Sequence, residues 1–390
     1  MKILYIHPAI RIYRQGIFEL LAQRLGVDFF WSASPKRNES GKSHSYNEIH
    51  SILNTTDIHY TQAKDWHRFP IDNFSLDLFK IPFQGYDVVI FSNITSTPCL
   101  LLSPLLKLIG VKTLVFDELW RYPIEVRKYR YLYKYVKFIA RHCLHGVIAA
   151  GSKAKTFYEQ EFGLTPDNIV IAHNTTVDQL PLTTSETKRA EIENRINMVS
   201  KKKRLLYLGR LVRYKGLDVL INAMPKVNND YDLIVVGDGN PEYVAECQSL
   251  VRELSLENRV KFLGACTSEE SAYFYQACEI FVLPTRFYLE SNVQMESWGF
   301  TLNEAMSLER PVIATDAVGS AYDLIKDGET GFQTVAGDHD ELSEKINTLI
   351  NINTDQIIGK NARRHLLATC DYDKNYAAYQ AIINKVSHHG

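Results

Sequence analysis

The chain has 390 residues, 45% hydrophobic and 23% charged, with 44 Lys and Arg against 45 Asp and Glu and a net charge of −1. That length exceeds one ordinary core and predicts two domains. So neutral a balance excludes a global field for nucleic acid or membrane, and only local patches remain.

The N-terminal run, Met-Lys-Ile-Leu-Tyr-Ile-His-Pro, is too short for a signal peptide. Short apolar runs then recur at 2–7, 27–32, 87–93, 112–118, 146–151 and 168–174, and again at 204–210, 232–237, 260–264, 280–284 and 311–315. Several are nearly continuous in Val, Ile, Leu and Phe, as strands buried on both faces should be. Helical periodicity fills the gaps, for example over 16–25 and 216–223. Alternating strand and helix predicts parallel sheets covered by helices. The longest apolar run, 99–109, is broken by Pro104 and Lys107. It falls short of the roughly 20 apolar residues that a bilayer span needs. The six cysteines stand singly, without metal or redox spacing, which predicts free thiols in a reducing, cytoplasmic compartment.

The alternation is interrupted once. Residues 179–203 are polar and end in a lysine run, as a linker carrying a short exposed helix would. This divides the chain into 1–178 and 204–371. The stretch 372–390 is expected to form a terminal helix docking back on the first domain, because Tyr376, Tyr379, Ile382 and Ile383 fall at helical spacing. Ligands on such sheets sit beyond the carboxyl ends of strands, so the cleft between two such domains is the natural site.

Chemistry concentrates in the second half. In LYLGRLVRYKG, 206–216, a strand ends at Gly209 and Arg210, and Lys215-Gly216 introduces a helix. Cations there would reinforce a helix N-terminus that already favours anions, and a phosphate or diphosphate is the obvious guest. A solvated basic loop explains the same residues. The glycines of Val236-Gly-Asp-Gly-Asn240, Gly237 and Gly239, let backbone approach a ligand or simply turn the chain.

Next comes MESWGFTLNEAM, 295–306, with Glu296 and Glu304 on either side of Gly299. One reading is a capping box, with Thr301 as N-cap and Glu304 at the third helical position. The other is a ligand site, in which amides of Phe300, Thr301 and Leu302 hold a phosphate oxygen and the carboxylates accept sugar hydroxyls. Carboxylates repel phosphates, so the second reading needs cations, and Arg210 and Lys215 are the candidates.

In this combination the chain resembles the family 4 retaining glycosyltransferases. The matching pieces are Gly209-Arg210, Lys215-Gly216, Val236-Gly-Asp-Gly239, Glu296-Ser-Trp-Gly-Phe-Thr-Leu-Asn-Glu304, Pro311-Val-Ile-Ala-Thr and Asp327-Gly-Glu-Thr-Gly-Phe. The resemblance implies an α/β GT-B fold, two Rossmann-like domains facing across a cleft. It implies transfer of a hexose-type sugar, with retention, from a UDP- or GDP-sugar to a glycan or lipid-linked saccharide in polysaccharide biosynthesis. No metal or other cofactor is implied. Arg210 and Lys215 would neutralise the donor diphosphate, Glu296 would contact donor-sugar hydroxyls and Glu304 the ribose. Alternatives on the same fold are a sugar-nucleotide epimerase or phosphorylase, or a non-catalytic binding domain.

The first half departs from the family pattern. The early loop HPAIRIYRQG, 7–16, has one glycine, and VFDELW, 115–120, stands where a His-Asp pair is usual. Asn174-Thr-Thr-Val-Asp178 replaces Asn-Gly-Val-Asp. Arg11, Arg14, Asp117 and Glu118 are the acceptor-side candidates. Residues 121–141, RYPIEVRKYRYLYKYVKFIAR, interleave cations with aromatics. Such a helix suits an anionic membrane surface on the inner face. A solvated helix face explains the pattern as well. Nucleic acid is not expected, since no recognised nucleic-acid module accompanies the patch.

Overall fold

The computed structural model describes residues 1–8, 12–32, 58–62, 75–122, 127–178, 184–288, 295–352 and 357–388. The chain divides into two compact units, Met1–Val177 with Cys370–Gly390, and Asp178–Thr369.

The first unit is built on seven parallel strands: β1 (Ile3–His7), β2 (Val27–Trp31), β3 (Tyr60–Gln62), β4 (Val88–Phe91), β5 (Lys112–Asp117), β6 (Gly146–Ala149) and β7 (Ile169–Ile171). Their order is β3-β2-β1-β4-β5-β6-β7. Side chains alternate between two cores, so the strands must be apolar throughout. Leu4, Ile6, Val89 and Val115 face one core, with Leu102, Leu106, Val136 and Tyr158 from the covering helices. Ile3, Tyr5, Ile90 and Phe116 face the other. There the terminal helix Tyr372–His388 contributes Tyr379, Ile382 and Ile383.

The second unit has six parallel strands: β8 (Lys203–Leu208), β9 (Tyr231–Val236), β10 (Val260–Phe262), β11 (Ile280–Leu283), β12 (Val312–Thr315) and β13 (Gly331–Thr334), in the order β10-β9-β8-β11-β12-β13. Two strands lay outside the sequence expectation. β3 is Tyr-Thr-Gln and β13 is Gly-Phe-Gln-Thr. Among the described residues each is a short edge strand, bonded on one side, and tolerates polar residues that a central strand would not.

Residues 184–203 of the expected linker belong to the second unit, and 179–183 lie outside the described residues. Their helix Glu186–Asn197 buries Ile192 and Ile196. Arg204 ties it down, reaching Glu193 at 2.8 Å and Asn197 at 2.7 Å. The polar composition had hidden two buried residues on one face, which suffice to dock a short helix.

Strand order reverses direction at β1/β4 in the first unit and at β8/β11 in the second. Beyond the carboxyl ends at these points the flanking loops diverge and leave a crevice. The loop after β8 carries Arg210 and Lys215. The chain after β11 leads to Glu296 and Glu304.

Candidate functional site

Arg210 lies in the loop that leaves β8. Its guanidinium is exposed and donates to Tyr214 Oη at 2.6 Å. Tyr207, buried in β8, holds the loop by donating its hydroxyl to the Arg210 carbonyl at 3.0 Å. Lys215 ends a single 3-10 turn, Arg213–Lys215, and is 8% exposed. A buried ammonium requires a counter-charge. Glu296, 81 residues later, supplies it: Lys215 Nζ donates to Glu296 Oε2, and both side chains are largely enclosed.

The backbone fixes Glu296 independently. It bridges Val318, donating its N–H to Ala317 O at 3.1 Å and accepting from Gly319 N at 2.9 Å. The segment after β12 is therefore the scaffold for this carboxylate. Trp298 is buried and donates its indole N–H to Asn303 Oδ1 at 3.0 Å. Gly299 then adopts φ 99°, a left-handed conformation that favours glycine. A Cβ there would stand 3.1 Å from Glu296 Cγ and 3.0 Å from Val318 Cγ1.

The capping box does not form. Gly299 is the N-cap of the helix Phe300–Ser307, and Thr301 lies inside it. The left-handed glycine starts the helix two residues early, so no side-chain cap is made. The Leu302 N–H is taken by the Gly299 carbonyl at 2.9 Å, while the Thr301 hydroxyl is buried without a hydrogen-bond partner among the described residues. Glu304 accepts instead from Tyr275 Oη at 3.1 Å. Burial raises its carboxyl to about 7, with the Tyr275 hydrogen bond opposing that rise.

Gly209, Gly237 and Gly239 bring two loops into contact. Gly237 N–H donates to Gly264 O at 2.8 Å, Gly209 N–H to Val236 O at 3.0 Å, and Gly239 bridges Leu211. A Cβ on Gly237 would fall on the Gly209 carbonyl oxygen.

In the first unit the acceptor-side candidates separate by burial. Asp117 is fully buried, and its carboxylate accepts from Ile94 N and Leu119 N at 3.0 Å each and from Tyr158 Oη at 2.7 Å. Desolvation nevertheless raises it to about 6. All its partners are structural, so it ties the end of β5 to its neighbours. Glu118 reaches solvent. Its Oε1 accepts from Arg14 Nη2 at 2.6 Å and from Asn174 Nδ2 at 2.8 Å. Arg14 also lies over the Phe116 ring, 4.1 Å from its centre. Arg11 lies outside the described residues.

Tyr275, Tyr214 and Asn174 were not singled out from the sequence. Nothing in the sequence marks Tyr275 as the partner of Glu304, 29 residues on, or Tyr214 as the partner of Arg210.

Residues 188–365 match the family model described as Glycosyl transferases group 1. The matched residues lie within the second unit. A D-inositol 3-phosphate glycosyltransferase of Corynebacterium aurimucosum is 31% identical over 181 residues, 44% of this chain and 40% of that protein. A lipopolysaccharide core biosynthesis mannosyltransferase of Rhizobium leguminosarum bv. viciae is 29% identical over 185 residues, 46% of this chain and 49% of that one. The chain spans about half or less of the length of the curated relatives it matches. Among solved structures, HepE of Anabaena in complex with UDP superposes with a TM-score of 0.77 at 19% identity, covering 99% of this chain and 100% of that one. The likeness is one of fold, and the fold is GT-B.

Proposed function

We propose that the protein is a retaining, family 4-type glycosyltransferase. It moves a hexose-type sugar from a UDP- or GDP-sugar to a glycan or lipid-linked saccharide without a metal. The observation that carries this reading is the pairing of Lys215 with Glu296 beside the β8/β11 switch point.

The chemistry follows from charge. The leaving group is a nucleoside diphosphate, so the transition state gains negative charge on a phosphate oxygen. Arg210 and Lys215 stabilise that charge. The arriving diphosphate replaces Glu296 as the counter-charge of Lys215, and Glu296 turns to the hydroxyls of the donor sugar. Glu304 accepts from the ribose. The departing phosphate takes the proton of the acceptor hydroxyl. Glu118, held by Arg14 and Asn174, is the acceptor-side carboxylate in preference to Asp117, since Asp117 has no exposure.

The test pairs binding with turnover. Calorimetry with UDP and GDP identifies the base. Nucleotide release from a panel of donors, in the presence of EDTA, then tests metal-independent transfer. Glu296→Gln should retain nucleotide binding and lose transfer by on the order of a hundredfold or more. Full activity of Glu296→Gln with the right donor would sink the assignment. Lys215→Met should lose both.

A further inference from the structure

We propose that the first unit docks peripherally on an anionic lipid bilayer through one face. That face is formed by the 3-10 helix Leu76–Phe83 and the helices Thr97–Leu108 and Arg127–His142. The sequence confined this expectation to 121–141, part of which lies outside the described residues. The structure adds an apolar half that the sequence reading did not include. The docking is independent of the transfer reaction.

The helix Thr97–Leu108 is apolar on both sides. Its inner face buries Cys99, Leu102 and Leu106. Its outer face exposes Leu101, Leu105 and Leu108, at four- and three-residue spacing, and Leu108 is 84% exposed. An ordinary surface helix carries polar residues on that stripe. The neighbouring 3-10 helix packs against it and exposes Phe79 and Phe83, the latter to 87%. Ile109 extends the patch, and a pocket of about 380 Å³ opens among Phe83, Tyr86, Leu105 and Ile109. Contiguous exposed apolar surface of this kind marks an interaction site.

Charge complementarity names the occupant. The helix Arg127–His142 has no carboxylate and exposes Lys134 and Arg141, with Lys137 half-buried, beside Tyr131, Tyr135 and Phe138. It joins the apolar stripe directly: Tyr135 Oη donates to Leu100 O at 2.8 Å, and Lys107 Nζ donates to His142 O. Asp77 is the only acid on the three helices, and Lys80 pairs with it at 2.7 Å. Asp87, which lines the pocket, and Glu161, which accepts from Tyr133 Oη at 2.8 Å, border the face, and the cations of the three helices outnumber these acids. Side chains for an acyl layer next to cations for phosphates match the boundary of an anionic bilayer. No helix among the described residues is long and apolar enough to cross a membrane.

Flotation of the full chain tests this. One set of vesicles is phosphatidylcholine and the other an equal mixture with phosphatidylglycerol. The protein should float with the anionic set only, and Lys134→Glu with Lys137→Glu should abolish flotation. The neutral pair Phe83→Ser and Leu108→Ser should weaken binding by roughly tenfold or more, from the apolar area each side chain buries. Thermal midpoints confirm that each variant is folded. Failure of the parent chain to float at low salt overturns the proposal. So does a Phe83→Ser, Leu108→Ser variant that floats like the parent, which would reduce the face to a charge patch. A concentration-dependent dimer that Leu108→Ser dissolves, without vesicle binding, would assign the face to a second copy instead.

Discussion

Replacing Glu304 by glutamine should stabilise the protein at alkaline pH and leave it unchanged in acid. The ordinary carboxyl value of 4.5 is raised to about 7 by burial in the folded chain. Ionisation in the folded state is therefore harder by about 3 kcal/mol. Between pH 4.5 and about 7 the unfolded chain has lost this proton while the folded chain keeps it, so stability falls as pH rises through that window. Below it the folded carboxyl is neutral, like an amide, and either group accepts the Tyr275 hydroxyl. Above it only the parent chain carries a buried charge. Thermal unfolding of the parent and of Glu304→Gln at pH 5, 6, 7 and 8 measures the difference. The midpoints should lie closest at pH 5, within about 3 °C of each other. By pH 8 they should separate by on the order of 10 °C, with Glu304→Gln the higher, at about 2–4 °C per kcal/mol for a unit of this size. Asp117, raised to about 6, titrates identically in both proteins and cancels. A constant gap across the series, or a parent chain more stable at pH 8, would refute the reasoning.

Gly237→Ala should place a methyl group on the Gly209 carbonyl at φ 141°, forcing the loops after β8 and β9 apart. Urea unfolding should show a loss of about 3 kcal/mol or more, together with weakened UDP binding in calorimetry. Asp117→Ala should strand the Ile94 and Leu119 amides and the Tyr158 hydroxyl. Its cost should be about 2–4 kcal/mol of stability by the same measurement, with UDP affinity unchanged.

The central strands were legible because burial on both faces demands unbroken apolar runs. The edge strands Tyr60–Gln62 and Gly331–Thr334 escaped that demand and so left no signal. The start of the helix Phe300–Ser307 was misplaced for a physical reason. Thr301 and Glu304 satisfy the spacing of a capping box, but Gly299 in the left-handed conformation begins the helix first. Glu304 was legible as a residue of interest and Tyr275 as its partner was not, since 29 residues of intervening chain carry no record of the contact. The contact of Lys215 with Glu296 was likewise hidden. The sequence named Arg210 and Lys215 as the cations these carboxylates need, without showing which would meet which.

Charge balance meets that requirement. A diphosphate should be repelled by two neighbouring carboxylates, and the sequence left the objection standing. Glu296 is held against Lys215, so before any ligand arrives the pair presents little net charge. Burial raises the Glu304 carboxyl to about 7, which favours its neutral, protonated form. On the proposed reading, the donor therefore meets a crevice in which one carboxylate is neutralised by its partner and the other by its proton. Arg210, exposed and steadied by Tyr214, is then the first cation the diphosphate reaches. Exchange of Glu296 for phosphate at Lys215 substitutes one anion for another at the same ammonium. On the proposed reading the ion pair is a placeholder for the diphosphate: it holds a buried lysine in position while the site is empty, and it gives up the carboxylate when the sugar hydroxyls arrive to receive it.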